Sequence, residues 1–267
     1  VLRIDGELLP INELSENTPE ILNNYVNELL NKENIEKYNK EKSIDISLEY
    51  QNTRFRVHIH KERQCDAFSL RLIPSVIPEF SKLYLPEVIN KFTTLKSGLV
   101  LITGTTGSGK STTLASIIDE INNKYAKHII TIEDPIEFIH KNKKSIIAQK
   151  EVGIDVSSFS DAVRSAMRED PDILLVGELR DLDTITNAIT MAETGHLVFG
   201  TLHTKSAPES IDRLIDVFPS KQQEQIRIQL ANSIEGIVSQ TLVPKIGGGR
   251  VPFCEVMLSN TAIKNNI

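Results

Sequence analysis

The hydrophobic pattern of the chain changes character near residue 75. Before that point, apolar residues alternate with polar ones or recur at helical spacing. Thr18 and Pro19 are typical of a helix start, because threonine caps the first turn and proline fits its first position. The strands predicted for this part are Val1–Ile4 and Glu7–Ile11 around an Asp5-Gly6 hairpin turn, then Ile44–Tyr50, Phe55–His60 and Ala67–Ile73. The pattern therefore predicts a small α+β unit of about 75 residues.

From Leu99 onward, short apolar runs alternate with longer amphipathic stretches. The short runs predict buried strands at Leu99–Thr103, Ile129–Ile132, Ile173–Val176 and Leu197–Gly200. Helices are predicted over Lys110–Asn122, Ser160–Met167, Leu182–Glu193, Ala207–Val217 and Gln222–Gln240. This alternation is typical of an α/β fold with a mostly parallel sheet and helices on both faces. Since ligands bind at the carboxyl ends of such strands, the residues after each strand are the candidates for function.

Proline residues mark the boundary between the two parts. Pro74, Pro78 and Pro86 fall between the last strand of the first part and the first buried strand of the second. We therefore expect a first domain over residues 1–76, a linker over 77–97 and an α/β domain over 98–267. The chain begins at Val1 rather than methionine, so we expect the first domain to be trimmed at its start.

Composition and charge narrow the classes of protein to which the chain can belong. It has 267 residues, 40% of them hydrophobic, and a net charge of −6. No apolar run approaches the roughly 20 residues of a membrane span, so no direct membrane insertion is expected. An acidic balance is atypical of nucleic-acid-binding proteins, so no nucleic-acid partner is expected. The two cysteines lie far apart, which indicates a reducing, cytoplasmic setting rather than a disulfide framework.

A complete phosphate-binding loop follows the first buried strand of the second part. Residues 104–111 read GTTGSGKS, which matches the G-x-x-x-x-G-K-[ST] pattern between a strand and a helix. Glycines in such a loop let backbone N–H groups and a helix N-terminus face the phosphates. Lys110 is expected to reach the β- and γ-phosphates, and the Ser111 hydroxyl to ligate Mg²⁺. The predicted nucleotide-binding residues are Thr105, Thr106, Gly107, Ser108, Gly109, Lys110, Ser111 and Thr112.

Acidic residues follow the next two buried strands. Glu133, Asp134 and Glu137 come directly after the second of these strands. One carboxylate could position or deprotonate the attacking water and another could hold a metal-bound water, although a solvated turn has the same composition. Glu178 follows the third strand, where a P-loop ATPase carries an acidic residue beside its Mg²⁺.

Two histidines flank the last buried strand of the α/β pattern. His203 follows the strand in the run TLHT, and His196 precedes it. A histidine at a strand end beside the γ-phosphate could donate a hydrogen bond and report whether that phosphate is present. His203 is the candidate for this role, whereas His196 could equally well be a structural hydrogen-bonding residue.

Four sequence boxes occur together and in order, namely GTTGSGKST, IEDPIE, ILLVGELRD and GHLVFGTLHT. In this combination the chain resembles the secretion-ATPase superfamily, whose members carry them as the Walker A, Asp, Walker B and His boxes. The resemblance covers almost the whole chain, including the segments RIDGELLPI, RFRV and SQTLVPKIGGGR. It implies a RecA-like P-loop NTPase domain with a mostly parallel sheet, preceded by a small α+β PAS-like domain.

The resemblance also implies roles for the acidic residues and the histidine. Glu137 would be the catalytic carboxylate of the Asp box, with Glu133 assisting. Glu178 would be the Walker B acid that holds Mg²⁺ partly through water. His203 would lie on the γ-phosphate side of the nucleotide.

Members of the superfamily bring arginines from the first domain to the nucleotide, and Arg56 and Arg71 stand at the matching positions here. An edge-strand arginine in a surface ion pair is the alternative interpretation of each.

The implied cofactors are ATP or ADP and Mg²⁺, and the implied enzyme is a Mg²⁺-dependent ATPase that works as a homo-hexamer. The implied partner is the inner-membrane platform protein of a pilus machine. That partner would place the motor in the cytoplasm, peripheral at the inner face of the cytoplasmic membrane.

Within the superfamily the chain looks most like the PilT-type ATPases of type IV pilus retraction and twitching motility. Its two cysteines cannot supply the tetracysteine zinc motif that is usual in assembly and type II secretion ATPases. Residues 262–267, AIKNNI, are similar to the start of the AIRNLIRE motif linked to retraction, with Lys264 for arginine and Asn266 for leucine. Because the rest of that motif does not follow, we expect the C-terminal end to be truncated.

Several other functions share part of these features. A pilus assembly ATPase is one alternative. A conjugation-type secretion ATPase shares the first boxes, whereas the IEDPIE and TLHT stretches favour the pilus branch. A nucleic-acid motor could have the same RecA-like core, although the acidic balance of the chain argues against it. An accessory paralogue could bind nucleotide with little turnover, since the boxes predict binding more directly than hydrolysis.

Overall fold

The computed structural model describes residues 1–4, 7–11, 17–51, 53–73 and 76–267. The chain divides into two compact units, Val1–Ser75 and Val76–Ile267. The predicted Asp5-Gly6 turn and Pro74 lie outside the described residues. Among the described residues, every helix is too short or too polar to cross a membrane.

The first unit combines antiparallel strands with two helices. Its helices are α1 (Pro19–Leu29) and α2 (Lys32–Glu41). Its strands are β1 (Leu2–Ile4) paired with β2 (Glu7–Leu9), and a sheet of β3 (Ser43–Tyr50), β4 (Thr53–Glu62) and β5 (Cys65–Ile73) in that order. The predicted cap is confirmed, because the Thr18 side chain accepts a hydrogen bond from the Ile21 N–H. The sequence does not predict α2, whose ten residues include only two apolar side chains, Ile35 and Tyr38.

The core of the first unit lies between one face of its three-stranded sheet and the two helices. Period-two alternation places Val57 and Ile59 of β4 on this face, where they pack with Val26 and Tyr38. Helices on one face of an antiparallel sheet make this an α+β unit, as the sequence predicts. The likeness of this unit to a PAS domain stays a prediction.

A seven-stranded sheet forms the centre of the second unit. Across the sheet its strands are β12 (Arg250–Leu258), β11 (Ile234–Pro244), β6 (Gly98–Thr103), β10 (Leu197–Leu202), β9 (Ile173–Val176), β7 (His128–Glu133) and β8 (Ile146–Glu151). All neighbouring strands are parallel except β11 and β12. The mostly parallel sheet predicted from the sequence is confirmed. The carboxyl ends of β6, β7, β9 and β10 consequently lie along one edge of the sheet.

Helices cover both faces of this sheet. One face packs against α3 (Lys110–Lys124) and a 3₁₀ helix, Glu87–Thr94, which follows a shorter one at Phe80–Lys82. The other face packs against α4 (Phe159–Ala166), α5 (Leu182–Glu193), α6 (Ala207–Asp216) and α7 (Ser220–Ser233). A last helix, α8 (Thr261–Asn266), lies against α7. The predicted linker region thus contributes to the core of the second unit, since Ile89 and Phe92 are fully buried there.

The helix predicted over Gln222–Gln240 is wrong in its second half. Helix α7 ends at Ser233, and the residues from Ile234 onward form β11, which pairs with β6. Ile234 and Ile237 continue the helical spacing of apolar residues, but both are fully buried in the sheet. Periodicity alone does not separate a buried strand from a buried helix, which explains the error.

Candidate nucleotide-binding site

Three glycines shape the loop that joins β6 to α3. Gly104, Gly107 and Gly109 have φ angles of +142°, +79° and +88°, a region that residues with side chains rarely adopt. Gly109 is the N-cap of α3, so the first N–H groups of that helix have no partner within the helix. The loop therefore presents backbone donors and a helix N-terminus, the combination that binds phosphate.

Lys110 is the first residue of α3, and its side chain reaches back to the loop. Its Nζ donates hydrogen bonds to the carbonyl oxygens of Gly104 at 2.7 Å and Thr105 at 3.2 Å. Burial lowers the pKa of Lys110, while the negative charges of Glu178 and Glu137 raise it. The fold thus brings this ammonium group within electrostatic reach of two of the predicted catalytic carboxylates.

Glu178 is the centre of a charged cluster at the end of β9. Its Oε1 accepts a hydrogen bond from Arg180 Nε at 2.6 Å and lies 3.3 Å from His203 Nε2. Burial by itself would raise the pKa of Glu178, but the hydrogen bond and charge of Arg180, together with His203, lower it below its usual value. Glu178 is therefore held as a carboxylate, the form that can accept a hydrogen bond from a water molecule on Mg²⁺.

The position of β10 between β6 and β9 explains how His203 reaches Glu178. Because these three strands are parallel, the residues after each one meet at the same edge. The segment after β9 is also tied to β10, since the Leu179 N–H donates to the Thr201 carbonyl at 3.0 Å. In return, the Thr201 hydroxyl donates to the Gly177 carbonyl.

The acidic segment after β7 contains one enclosed glutamate and one exposed glutamate. Glu133 Oε1 accepts hydrogen bonds from Thr131 Oγ1 at 2.7 Å and Gln149 Nε2 at 3.3 Å. Burial raises the pKa of Glu133, although these hydrogen bonds lower it in part. The segment is anchored to β8 by the buried carboxylate of Glu151, which accepts a hydrogen bond from a backbone N–H of the segment at 3.1 Å. Because of this contact, the segment after β7 is held in place and is not a freely solvated turn. Glu137 is exposed at the far end of the segment.

The residues beside Lys110 fit the chemistry of a magnesium–phosphate complex. Ser111 and Thr112 lie half-buried in the first turn of α3, and Glu178 supplies a carboxylate within reach of Lys110. Hydroxyl and carboxylate oxygens are ligands that Mg²⁺ prefers, usually together with water and substrate phosphates. Ser108 Oγ is buried and has no hydrogen-bond partner among the described residues.

Arg56 and Arg71 lie opposite each other on β4 and β5 of the first unit. Arg56 Nε is 3.4 Å from Asp45 Oδ1, and the two side chains are 36% and 51% exposed. This contact is the surface ion pair of the alternative interpretation, and such pairs contribute little to stability. The structure brings the two arginines together, and their role toward a nucleotide stays a prediction.

His196 and His203 lie at opposite ends of β10. His196 Nδ1 is 3.0 Å from the Met191 carbonyl oxygen and 3.3 Å from Thr194 Oγ1, where α5 ends. These contacts favour the structural interpretation of His196. Of the two histidines, His203 is the one that contacts a predicted site residue.

Gln240 of β11, which the sequence does not predict as part of the site, supports the loop. Gln240 Nε2 donates to the Ser108 carbonyl at 2.7 Å, and Gln240 Oε1 accepts from Thr113 Oγ1 at 2.8 Å. Helical periodicity predicts Gln240 at the end of a helix, far from the loop. The pairing of β11 with β6, which brings it there, has no local signal in the sequence.

A phosphate-binding loop after β6, an acidic residue after β9 and a histidine after the strand between them define a P-loop nucleotide-binding protein. The order of the strands places it in the RecA-like α/β class. The sequence profile of the Type II/IV secretion system protein family matches residues 2–264, and the chain belongs to this family. The predicted resemblance to secretion ATPases is therefore confirmed.

Curated relatives extend the match over the whole chain. The chain is 46% identical over 268 residues to the type IV pilus retraction ATPase PilT of Pseudomonas aeruginosa, which covers 100% of the chain and 78% of that relative. It is 44% identical to a twitching motility protein of Neisseria gonorrhoeae, over 100% of the chain and 72% of that relative. The similarity to PilT-type proteins predicted from the sequence is confirmed.

Solved structures give the same result for the fold. The pilus retraction motor PilT with bound ADP matches with a TM-score of 0.94 and 49% identity, over 98% of this chain and 77% of that chain. The ATPase DotB of Legionella pneumophila matches with a TM-score of 0.86 and 32% identity, over 98% of this chain and 75% of that chain. The α/β architecture is thus shared with members of the secretion-ATPase group.

Proposed function

We propose that the chain is a Mg²⁺-dependent ATPase motor that powers type IV pilus retraction and twitching motility. The observation that carries the ATPase activity is the convergence of Lys110, Glu178 and His203 at the carboxyl ends of β6, β9 and β10. The retraction role rests on similarity over the whole chain to proteins named for retraction and twitching.

The site residues support an in-line attack of water on the γ-phosphate of ATP. Bound Mg²⁺ would neutralise charge on the phosphate oxygens, held by Ser111 and, partly through water, by Glu178. Lys110 would exchange its contacts with the loop carbonyls for contacts with β- and γ-phosphate oxygens. Glu137 would orient or deprotonate the attacking water, with Glu133 assisting, and His203 would donate to the γ-phosphate.

The motor would consist of six identical chains arranged in a ring, with closure of the two units as its working stroke. In this arrangement Arg56 and Arg71 would supply positive charge to the nucleotide, because arginine stays ionised and binds phosphate oxygens in a bidentate manner. The ring would lie in the cytoplasm, at the inner face of the cytoplasmic membrane. Its partner there would be the platform protein of the pilus machine.

Replacement of the loop lysine tests the ATPase activity. In Lys110→Ala, steady-state phosphate release from Mg-ATP should fall by at least about a hundredfold, because the group that neutralises charge on the transferred phosphoryl is lost. The matched control is Lys221→Ala, an exposed position on α7, which should hydrolyse ATP at the wild-type rate. Normal turnover in Lys110→Ala would contradict the proposed mechanism, and no turnover in the wild-type ring would favour the accessory paralogue.

A deletion strain tests the direction of the motor. Loss of the gene should leave pili that accumulate on the cell surface and do not retract, because assembly would continue without its antagonist. The number of pili per cell and surface motility are the measurements. A strain that loses its pili altogether would show an assembly role instead.

A further inference from the structure

A bulge in β11 determines which face of the sheet its last residues occupy. Ile234 pairs with Leu99 and Gly236 with Val100, so that Glu235 is the extra residue. Ile234 packs with the core on the side of α4 to α7, whereas Val238 packs with the core on the side of α3. Without the extra residue, strict alternation would turn every even-numbered position of β11 away from α3. The bulge therefore brings the side chain of residue 240 to the face that carries the phosphate loop.

The register of β11 then places Gln240 directly beside the loop. The ladder between β11 and β6 ends at Ser239 and Thr103, whose hydroxyls are 3.0 Å apart, and the next residues are Gln240 and Gly104. A Cβ atom on Gly104 would lie 2.2 Å from the Gln240 carbonyl oxygen. A Cβ atom on Gly109 would lie 2.8 Å from Gln240 Nε2. The two glycines at the ends of the loop thus allow its close approach to this one residue.

The hydrogen bonds of Gln240 fix the orientation of its amide. The Thr113 hydroxyl donates to Oε1 at 2.8 Å, and Nε2 donates to the Ser108 carbonyl at 2.7 Å. Gln240 is only 4% exposed, so water does not compete freely for these groups. The Ser108 carbonyl and the Gly109 N–H belong to one planar peptide group and point in opposite directions. Holding the carbonyl against Gln240 therefore turns the Gly109 N–H toward the opposite side, where the loop would receive a phosphate.

We propose that Gln240 is a positioning residue of the nucleotide site, which fixes the peptide between Ser108 and Gly109 so that its N–H is directed at the phosphates. This inference rests on the proposed function, since it concerns how the same loop binds nucleotide. Thr113 acts through Gln240, because its hydroxyl holds the amide in the required orientation.

Titration calorimetry with Mg-ADP tests the proposal on the full chain. Gln240→Leu keeps the approximate volume but loses both hydrogen bonds, and it should weaken the Kd for ADP by about tenfold. Thr113→Val should weaken it by about threefold, because it removes the hydroxyl that bonds Gln240 and keeps the backbone bond from the Thr113 N–H to the Gly109 carbonyl. The double variant should match Gln240→Leu, because the Thr113 hydroxyl acts on the loop through Gln240. Gln225→Leu makes the same chemical change at an exposed position on α7 and should leave the Kd unchanged.

The results of these titrations distinguish a positioning role of Gln240 from a purely structural one. A residue with only a structural role would lower the melting temperature without nucleotide and leave the Kd unchanged, which would overturn the inference. Additive effects of the two substitutions would overturn the route through Gln240. If Gln240→Leu does not fold, an unchanged Kd in Thr113→Val overturns the inference and a weaker one supports it. A wild-type chain that does not bind ADP would instead overturn the proposed function, and this inference with it.

Discussion

At the scale of single residues, the site depends on the carboxylate of Glu178. Its side chain is 19% exposed, whereas its partners Arg180 and His203 are 66% and 46% exposed. Exposed partners can be replaced at low cost, because water and ligand groups take over their interactions. The cluster therefore keeps Glu178 ionised while leaving both partners free to rearrange around a nucleotide.

Substitution of Glu178 should separate binding from hydrolysis. Glu178→Gln keeps the shape of the side chain but removes the charge that would hold Mg²⁺ through water in the proposed mechanism, so turnover should fall by at least about a hundredfold. The Kd for ADP should change by less than about threefold, because the loop and Lys110 remain intact. Phosphate release and calorimetric titration give the two quantities. Glu224→Gln on α7 is the matched exposed control, and equal losses of binding and turnover in Glu178→Gln would contradict this division of roles.

At the scale of helices and strands, the elements that the sequence predicts correctly are those formed by residues that are consecutive in the chain. The phosphate loop, the buried strand before it and the helix after it are consecutive in sequence, and all three are present. The rule that ligands bind at strand ends also predicts that Glu178 and His203 lie at the same edge of the sheet, where their side chains are in contact. Helix α2 was missed because a helix stabilised by one buried tyrosine, Tyr38, has almost no apolar stripe.

Long-range pairing accounts for the parts that could not be predicted. Gln240 and Ser108 are 132 residues apart in sequence, and only the insertion of β11 beside β6 makes them neighbours. The same pairing turned the end of a predicted helix into a buried strand, because tertiary packing overrides local periodicity. The ion pair and the opposed arginines of the first unit likewise follow from sheet register, which is set by non-local contacts.

The connection between β7 and β8 contains a half-buried histidine, His140, that should make the second unit sensitive to acid. Burial lowers the pKa of His140 from 6.5 to about 4, and Nδ1 has no hydrogen-bond partner within the described ranges. The folded chain therefore binds this proton less readily than the unfolded chain. The stabilisation is fully present above pH 6.5 and is lost as the pH falls toward 4.

His140→Phe should remove this pH dependence, because phenylalanine keeps an aromatic ring at this position that does not titrate. Between pH 7 and pH 5 the wild-type chain should lose up to about 2 kcal/mol of unfolding free energy through this group. The variant should lose correspondingly less over the same interval. Thermal unfolding at the two pH values, with hydrogen exchange to assign the second unit, measures the difference. An equal loss in both proteins would show that other groups control the acid response.

At the scale of the whole molecule, the phosphate loop and the two candidate arginines belong to different units. Within the first unit these arginines contribute little to folding, since Arg56 makes a half-exposed ion pair and Arg71 is exposed. A defect caused by removing them would therefore report on nucleotide chemistry or assembly rather than on the stability of the unit. This separation makes the arginines the direct test of whether the two units work together.

The double variant Arg56→Ala, Arg71→Ala should lower ATP turnover by at least about tenfold while its melting temperature stays within about 2 °C of the wild type. Arg63→Ala, an exposed arginine in the turn between β4 and β5, is the control within the same unit and should turn over ATP normally. Mass measurement in solution should show the same assembly for all three proteins, so that lost turnover is not mistaken for a lost ring. In the proposed mechanism the charge of these arginines would act in ATP cleavage, so the Kd for ADP should change less than turnover does. Normal turnover in the double variant would mean that the second unit carries the chemistry alone, and Arg56 would then be an ordinary surface ion pair.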